Sequence, residues 1–424
     1  MTMDRRDFLK AAAAAGLAVV APFATRKLRA EPYTGTFWIL VNASGGWDPT
    51  GFCDPKGAQS ADEQNPMNRN YLAADIRTAG GGSSPIRYAP IGGNEAFFEK
   101  YYQRLLVING VDTATNGHDS GSRFTWSGKL IEGFPSFGAL VASAAARDKP
   151  MSFISNGGYD VTSGLVAPTR SSNPSVYTRI AYPNRVDPNN AESLYHSQLT
   201  MERILATRAA RQTALAGAQN LPRYKNAINT LYTANLGQND VARLTEYLPN
   251  PLDNTQNPLR RQAQLALAAY KAGLSVSANL NIGGFDTHGN HDDTHTPRVQ
   301  AMLEGVDFIM TEAERQGVAD KVVVVMGSDF GRTPRYNSTN GKDHWSITSM
   351  MMMGPGIVGN RVIGATDGDH RPLTVNPTTL QQDPNGVRVT PEHVHLALRK
   401  LAGVQESEAA KAFPLGGQEL PLLG

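Results

Sequence analysis

From Gly283 to His295 the chain reads GGFDTHGNHDDTH, three histidines and three aspartates in thirteen residues of a chain with nine histidines in all. Imidazole and carboxylate are the side chains that bind zinc, manganese or iron. Asp286 and His288 lie two apart, and in extended backbone residues i and i+2 project to the same side. This carboxylate and imidazole can therefore meet on one cation, with His291 as a reserve ligand. Asp292 and Asp293 complement the N-terminus of the helix that follows. His295 stands before Thr296-Pro297, which reads as an N-cap with proline at the first helical position, and is expected at the surface.

Other polar clusters carry the same chemistry. Gly45-Gly46-Trp47-Asp48 offers a carboxylate after two glycines, or a tight turn with an Asx cap. Gly327-Ser328-Asp329-Phe330-Gly331-Arg332-Thr333 offers Asp329 as a metal ligand and Arg332 as a fork for an anion, or an Asp–Arg pair bracing a turn. Gly341-Lys342-Asp343-His344-Trp345 supplies His344, and Asn116-Gly117-His118-Asp119-Ser120 supplies His118.

The apolar runs that precede these clusters explain how they come together. TFWILV (Thr36–Val41), LLVI (Leu105–Ile108), Met151–Ile154, LSVSANLNI (Leu274–Ile282) and KVVVVM (Lys321–Met326) read as buried strands. Helical patterns fall between them at Asn94–Gln103, Phe137–Arg147 and Pro297–Arg315. Val/Ile-rich strands alternating with helices predict an α/β fold, a doubly wound and mostly parallel sheet with helices on both faces. In such sheets, sites collect beyond the carboxyl ends of the strands, where most of these clusters stand. Residues 191–272, rich in Ala, Leu, Gln and Arg, read as a helical insertion, and Tyr71–Gly93 as a long surface loop.

The N-terminus is a separate matter. Arg5-Arg6-Asp7-Phe8-Leu9-Lys10, an Ala-rich run and a small residue at Ala30 read as a twin-arginine export signal over residues 1–30, leaving 31–424 as a single domain. The chain is formally +2, but residues 1–30 carry +4, so the remainder is −2 and gives no basis for nucleic-acid binding. No transmembrane segment is expected after cleavage, and the single cysteine, Cys53, excludes an internal disulfide.

GGFDTHGNH, VVVVMGSDFGRT and GKDHW, with GGWDP near the mature start, resemble a bacterial family of twin-arginine-exported proteins, domain of unknown function 1501. The family is similar to the alkaline phosphatase and sulfatase superfamily. The resemblance implies an alkaline-phosphatase-like sheet with a divalent metal at its strand ends, zinc first, with manganese, iron or calcium as alternatives. Position by position, it implies Asp48, Asp286, His288, Asp329 and His344 as metal ligands. Three departures stand out: Phe330 replaces the usual histidine after Asp329; the Asp286–His288 spacing is shorter than the usual Asp-x-x-x-His, which leaves His291 as the alternative ligand; and no hydroxyl among Thr113, Thr115, Ser120 and Ser122 is marked as a nucleophile. The activity implied is hydrolysis of a phosphate or sulfate ester, small-molecule or polymer, in the periplasm or outside the cell. His118 and Arg332 would then stabilise the transferred group. The alternative is a non-catalytic exported binding or assembly protein that keeps the fold.

Overall fold

The described residues form twelve strands: β1 (Phe37–Ala43), β2 (Arg77–Ala79), β3 (Ile86–Tyr88), β4 (Leu105–Asp112), β5 (Phe153–Ser155), β6 (Pro168–Thr169), β7 (Ser277–Ile282), β8 (Val322–Ser328), β9 (Gly331–Arg332), β10 (His344–Trp345), β11 (Ile347–Met353) and β12 (Arg361–Ile363). The computed structural model describes residues 32–424 apart from 82–84, 171–173, 188–189, 222–223, 225–227, 229–237 and 250. Residues 1–30, read above as an export signal, and part of the segment 191–272 lie outside the described residues.

Eight strands make one sheet in the order β12-β4-β11-β8-β1-β7-β5-β6. Seven run the same way; β11 pairs antiparallel with both β4 and β8. β1 is flanked by β7 and β8 in parallel register, and Ala43 aligns with Ile282 on one side and Ser328 on the other. The three central strands thus end level and release their loops at one edge.

Successive strand residues face opposite sides of a sheet, and this alternation divides the core. Phe37, Ile39 and Val41 pack with Phe98, Leu259, Leu265, Val299 and Met302. Trp38 and Leu40 pack with Trp126, Phe137, Leu140, Val394 and Leu398. Helices Asn94–Tyr101, Pro258–Lys271 and His291–Arg315 therefore cover one face, and His118–Ser127, Phe137–Ala146 and Pro391–Leu401 the other. Within the segment read as an insertion, Pro258–Lys271 buries Leu259, Leu265 and Leu267 against the sheet, whereas Gln198–Ala218 buries no residue.

Three expectations need correction. The helix assigned to Pro297–Arg315 begins at His291, after Asn290 in the left-handed region, so Pro297 lies inside it. His295 is consequently buried rather than at the surface, because positions 291, 295, 299, 302 and 306 share the inner stripe of the helix. The loop expected over Tyr71–Gly93 carries the short antiparallel pair β2–β3.

Candidate metal centre

Each polar cluster arrives at the sheet edge by a different route. Asp286 and His288 follow β7, Asp329 directly follows β8, and His118 opens the helix that follows β4. His344 reaches the same edge because it precedes β11, the strand that runs backward. It lies in β10, which pairs with β9 so that His344 faces Arg332. Gly45 takes a φ of 120°, and a Cβ there would overlap the Asp286 amide, so glycine lets the first loop lie against the Asp286 loop.

One atom of each of His118, Asp286 and His344 lies within 4.8 Å of the others. The Asp286 carboxylate is the hub. Its Oδ1 stands 3.1 Å from His344 Nε2 and 3.1 Å from His288 Nε2, and its Oδ2 stands 3.5 Å from His118 Nε2. The other nitrogen of each ring is held from behind. His118 Nδ1 bonds Asp329 Oδ2 at 2.8 Å, His288 Nδ1 bonds Asp343 Oδ1 at 2.7 Å, and His344 Nδ1 bonds the Asn116 carbonyl at 2.7 Å. A carbonyl or carboxylate oxygen accepts, so each Nδ1 carries a proton, and Nε2 is the ring atom turned toward Asp286. This arrangement, a ring N–H given to an outer acceptor and the opposite nitrogen free, is the one metal-ligating histidines adopt.

His288 Nε2 and His344 Nε2 lie 2.9 Å apart. Two lone pairs at that distance repel unless a cation or a proton lies between them. The donor set of three imidazoles and one carboxylate fits zinc, manganese or iron, and does not fit calcium, which takes hard oxygen ligands. Burial would raise the Asp286 carboxyl, but Arg332, His344 and His118 outweigh it and hold it at about 2, so the hub is ionised at neutral pH. Burial pushes the Asp329 carboxyl up, and its bonds to His118 and to the Gly45 amide (3.0 Å) pull it back in part.

Asp48 and His291 lie elsewhere. Asp48 is fully buried; its Oδ2 contacts Lys342 Nζ at 2.6 Å and His291 Nε2 at 3.2 Å, while its Oδ1 caps Thr50. The Lys342 ammonium already supplies this carboxylate with a cation, and a divalent ion there would meet it at contact distance. Burial would raise Asp48, yet Lys342 and His291 hold it well below the usual carboxylate range. His295 Nε2 accepts the Asp48 amide at 2.7 Å, and burial pushes its ring well below the ordinary histidine value.

Arg332 also differs from the sequence reading. Its guanidinium is wholly buried and donates to the carbonyls of Gly45, Gly46 and Lys342 and to Asp286 Oδ1. With four of its five N–H donors committed and the side chain wholly buried, it presents no fork to a substrate anion. Asp329, read as a ligand, stands behind His118 in the present arrangement. His118, read as a group acting on substrate, stands among the ligand atoms themselves. Asp343 and the Asn116 carbonyl were not singled out as ring anchors, and only the proximity of Asp343 to His344 in sequence hinted at the first. Thr115 and Ser120 share a 2.6 Å hydrogen bond, and Thr113 donates to backbone carbonyls. The helix that begins at His118 also lines a cleft of about 390 Å³ with Asp119, Ser122 and Arg123, together with Glu132 and Tyr159.

Comparison with known proteins gives the chain its relatives. Among curated proteins none matches it. It is similar to a solved putative sulfatase from Bacteroides thetaiotaomicron, at 10% identity and a TM-score of 0.36 over 92% of this chain and 75% of that one. It is also similar to an alkaline phosphatase from the Antarctic bacterium TAB5, at 10% identity and a TM-score of 0.37 over 88% and 99%. The twin-arginine signal sequence matches residues 2–22, so the chain is exported by that pathway, to the periplasm or beyond. No helix among the described residues is long and apolar enough to cross a membrane. The family described as "Protein of unknown function (DUF1501)" matches residues 37–383, and the chain belongs to that family.

Proposed function

We propose that this exported chain is a metal-dependent hydrolase of a phosphate or sulfate ester, with one divalent ion held by His118, Asp286, His288 and His344. The observation that carries the reading is the approach of three Nε2 atoms, from His118, His288 and His344, to one ionised carboxylate, each ring held from behind. Bound there, the ion would polarise an ester oxygen and acidify a hydroxyl or water. Asp329, Asp343 and the Asn116 carbonyl keep the three protons on Nδ1. Arg332 holds the Asp286 carboxylate ionised and oriented. The helix His118–Ser127 begins at a ligand, so its positive end favours an anionic group at this place. The cleft lined by Asp119, Ser122 and Arg123 of the same helix would take the rest of the ester, its volume lying within the roughly 300–1,000 Å³ usual for small-molecule sites.

One observation favours the second reading, a non-catalytic binding or assembly protein. The hydroxyls of Thr113, Thr115 and Ser120 bond one another and backbone carbonyls, and among the described residues none bonds a ligand atom. Elemental analysis and turnover separate the two. The hydrolase reading expects one ion per mature chain, kept in His291→Ala and lost in His344→Ala, with turnover of a simple aryl phosphate or sulfate lost alongside. A stoichiometric ion with no turnover on a broad ester panel favours the binding protein; no ion in the wild type refutes the metal centre.

A further inference from the structure

Lys342 is the residue of the 341–344 segment with no evident part in the chemistry, yet its side chain is completely buried. Its ammonium has three donors and three acceptors: Asp48 Oδ2 at 2.6 Å, the Met67 carbonyl at 2.7 Å and Thr50 Oγ1 at 3.4 Å. Its backbone is equally committed. The amide donates to the Thr287 carbonyl at 3.0 Å, and the carbonyl accepts from Arg332 Nη1 at 2.9 Å. Lys342 is thus pinned at once to the loop after β1, to the loop that carries Asp286 and His288, and to β9. The next residue, Asp343, holds the His288 ring, and the one after, His344, contributes its own.

A buried ion pair is a poor device for stability, since well-packed apolar residues often serve the fold as well; its best-attested use is to fix register or one geometry. We propose that Lys342 is a positioning residue: its buried ammonium, seated on Asp48, sets the place of Asp343 and His344 and so brings the His288 and His344 rings into ligand geometry. The inference deepens the metal reading and rests on it for its consequence, though the ring placement can be observed without any ion.

The test uses the mature, metal-free protein and the double variant Asp48→Asn/Lys342→Met, which leaves no unpaired buried charge. Long-range ¹H–¹⁵N spectra report the His288 and His344 ring nitrogens, assigned by single histidine substitutions, and thermal unfolding reports the fold. Wild type should show Nδ1–H tautomers for both rings, with protected N–H signals. In the double variant the unfolding midpoint should stay near wild type, the protected signals should be lost, and zinc should bind about 10- to 100-fold more weakly, as when an outer partner of a metal ligand is removed. Should the double variant not fold, Lys342→Arg carries the same test, because a guanidinium cannot occupy the three-acceptor niche of an ammonium; the same signals should shift. Wild-type ring signals in either folded variant overturn the proposal. A wild type that binds no zinc yet shows the expected ring signals refutes the metal reading alone.

Discussion

Asp329 allows the sharpest test of the centre. It is 3% exposed and its Oδ2 accepts from both His118 Nδ1 and the Gly45 amide. Asp329→Asn keeps an acceptor but removes the charge; Asp329→Leu removes both. Losing an outer partner of a ligating histidine typically costs 10- to 100-fold in metal affinity, about 1.4 to 2.7 kcal/mol. Asparagine should fall near the lower bound and leucine near the upper. Leucine also leaves the buried Gly45 amide without its acceptor, which costs a further 1–3 kcal/mol or so of folding stability. Competitive zinc titration measures the first effect, and denaturant unfolding of the metal-free protein the second. Zinc affinity equal to wild type in both variants would falsify the claim that Asp329 orients a ligand.

Two further outcomes follow from the packing and the titration. Gly121 sits inside the helix His118–Ser127, where alanine is ordinarily better by about 0.5–1 kcal/mol, but a Cβ there would overlap the Asp329 carbonyl and lie 3.0 Å from the Phe330 ring. The clash should win, so that Gly121→Ala lowers both the unfolding midpoint and zinc affinity; a raised midpoint would show the helix has slack. Burial holds the His395 ring at about 4, against about 6.5 unfolded. A depressed value means the unfolded state binds the extra proton, so this contribution is intact above pH 6.5 or so and is lost as pH falls toward 4, by about 3 kcal/mol. His395→Leu should flatten that part of the stability–pH curve, and an unchanged slope would count against the assignment.

Local sequence carried much of the fold. The apolar runs at β1, β4 and β8 are buried on both faces, so they needed no knowledge of their neighbours to be read as strands. The glycine-flanked Asp/His clusters at their ends were legible for the same reason, since a strand end plus a flexible polar loop is a local pattern. Asp286, His288 and His344, all read from such patterns, come together in the structure.

What stayed hidden depends on partners far away in the chain. ITSMMMM at β11 carries no sign of running backward, yet that direction delivers His344 to the common edge. Thr296-Pro297 looked like a helix start because capping preferences are local, whereas burial of His291 and His295 against Asp48 extends the helix two turns earlier. Whether a carboxylate binds a metal or a lysine depends on what folding places within 3 Å of it, and sequence spacing does not encode that. Asp48 meets Lys342 from 294 positions away, and Asp329 meets His118 from 211. The residue types, and the delivery to one sheet edge of the clusters that follow β1, β4, β7 and β8, were thus legible in the sequence itself, whereas the arrival of His344 was not. Which of them would bind, brace or anchor was decided by tertiary contact alone, because hydrogen bonds and ion pairs act over a few ångströms and not along the chain.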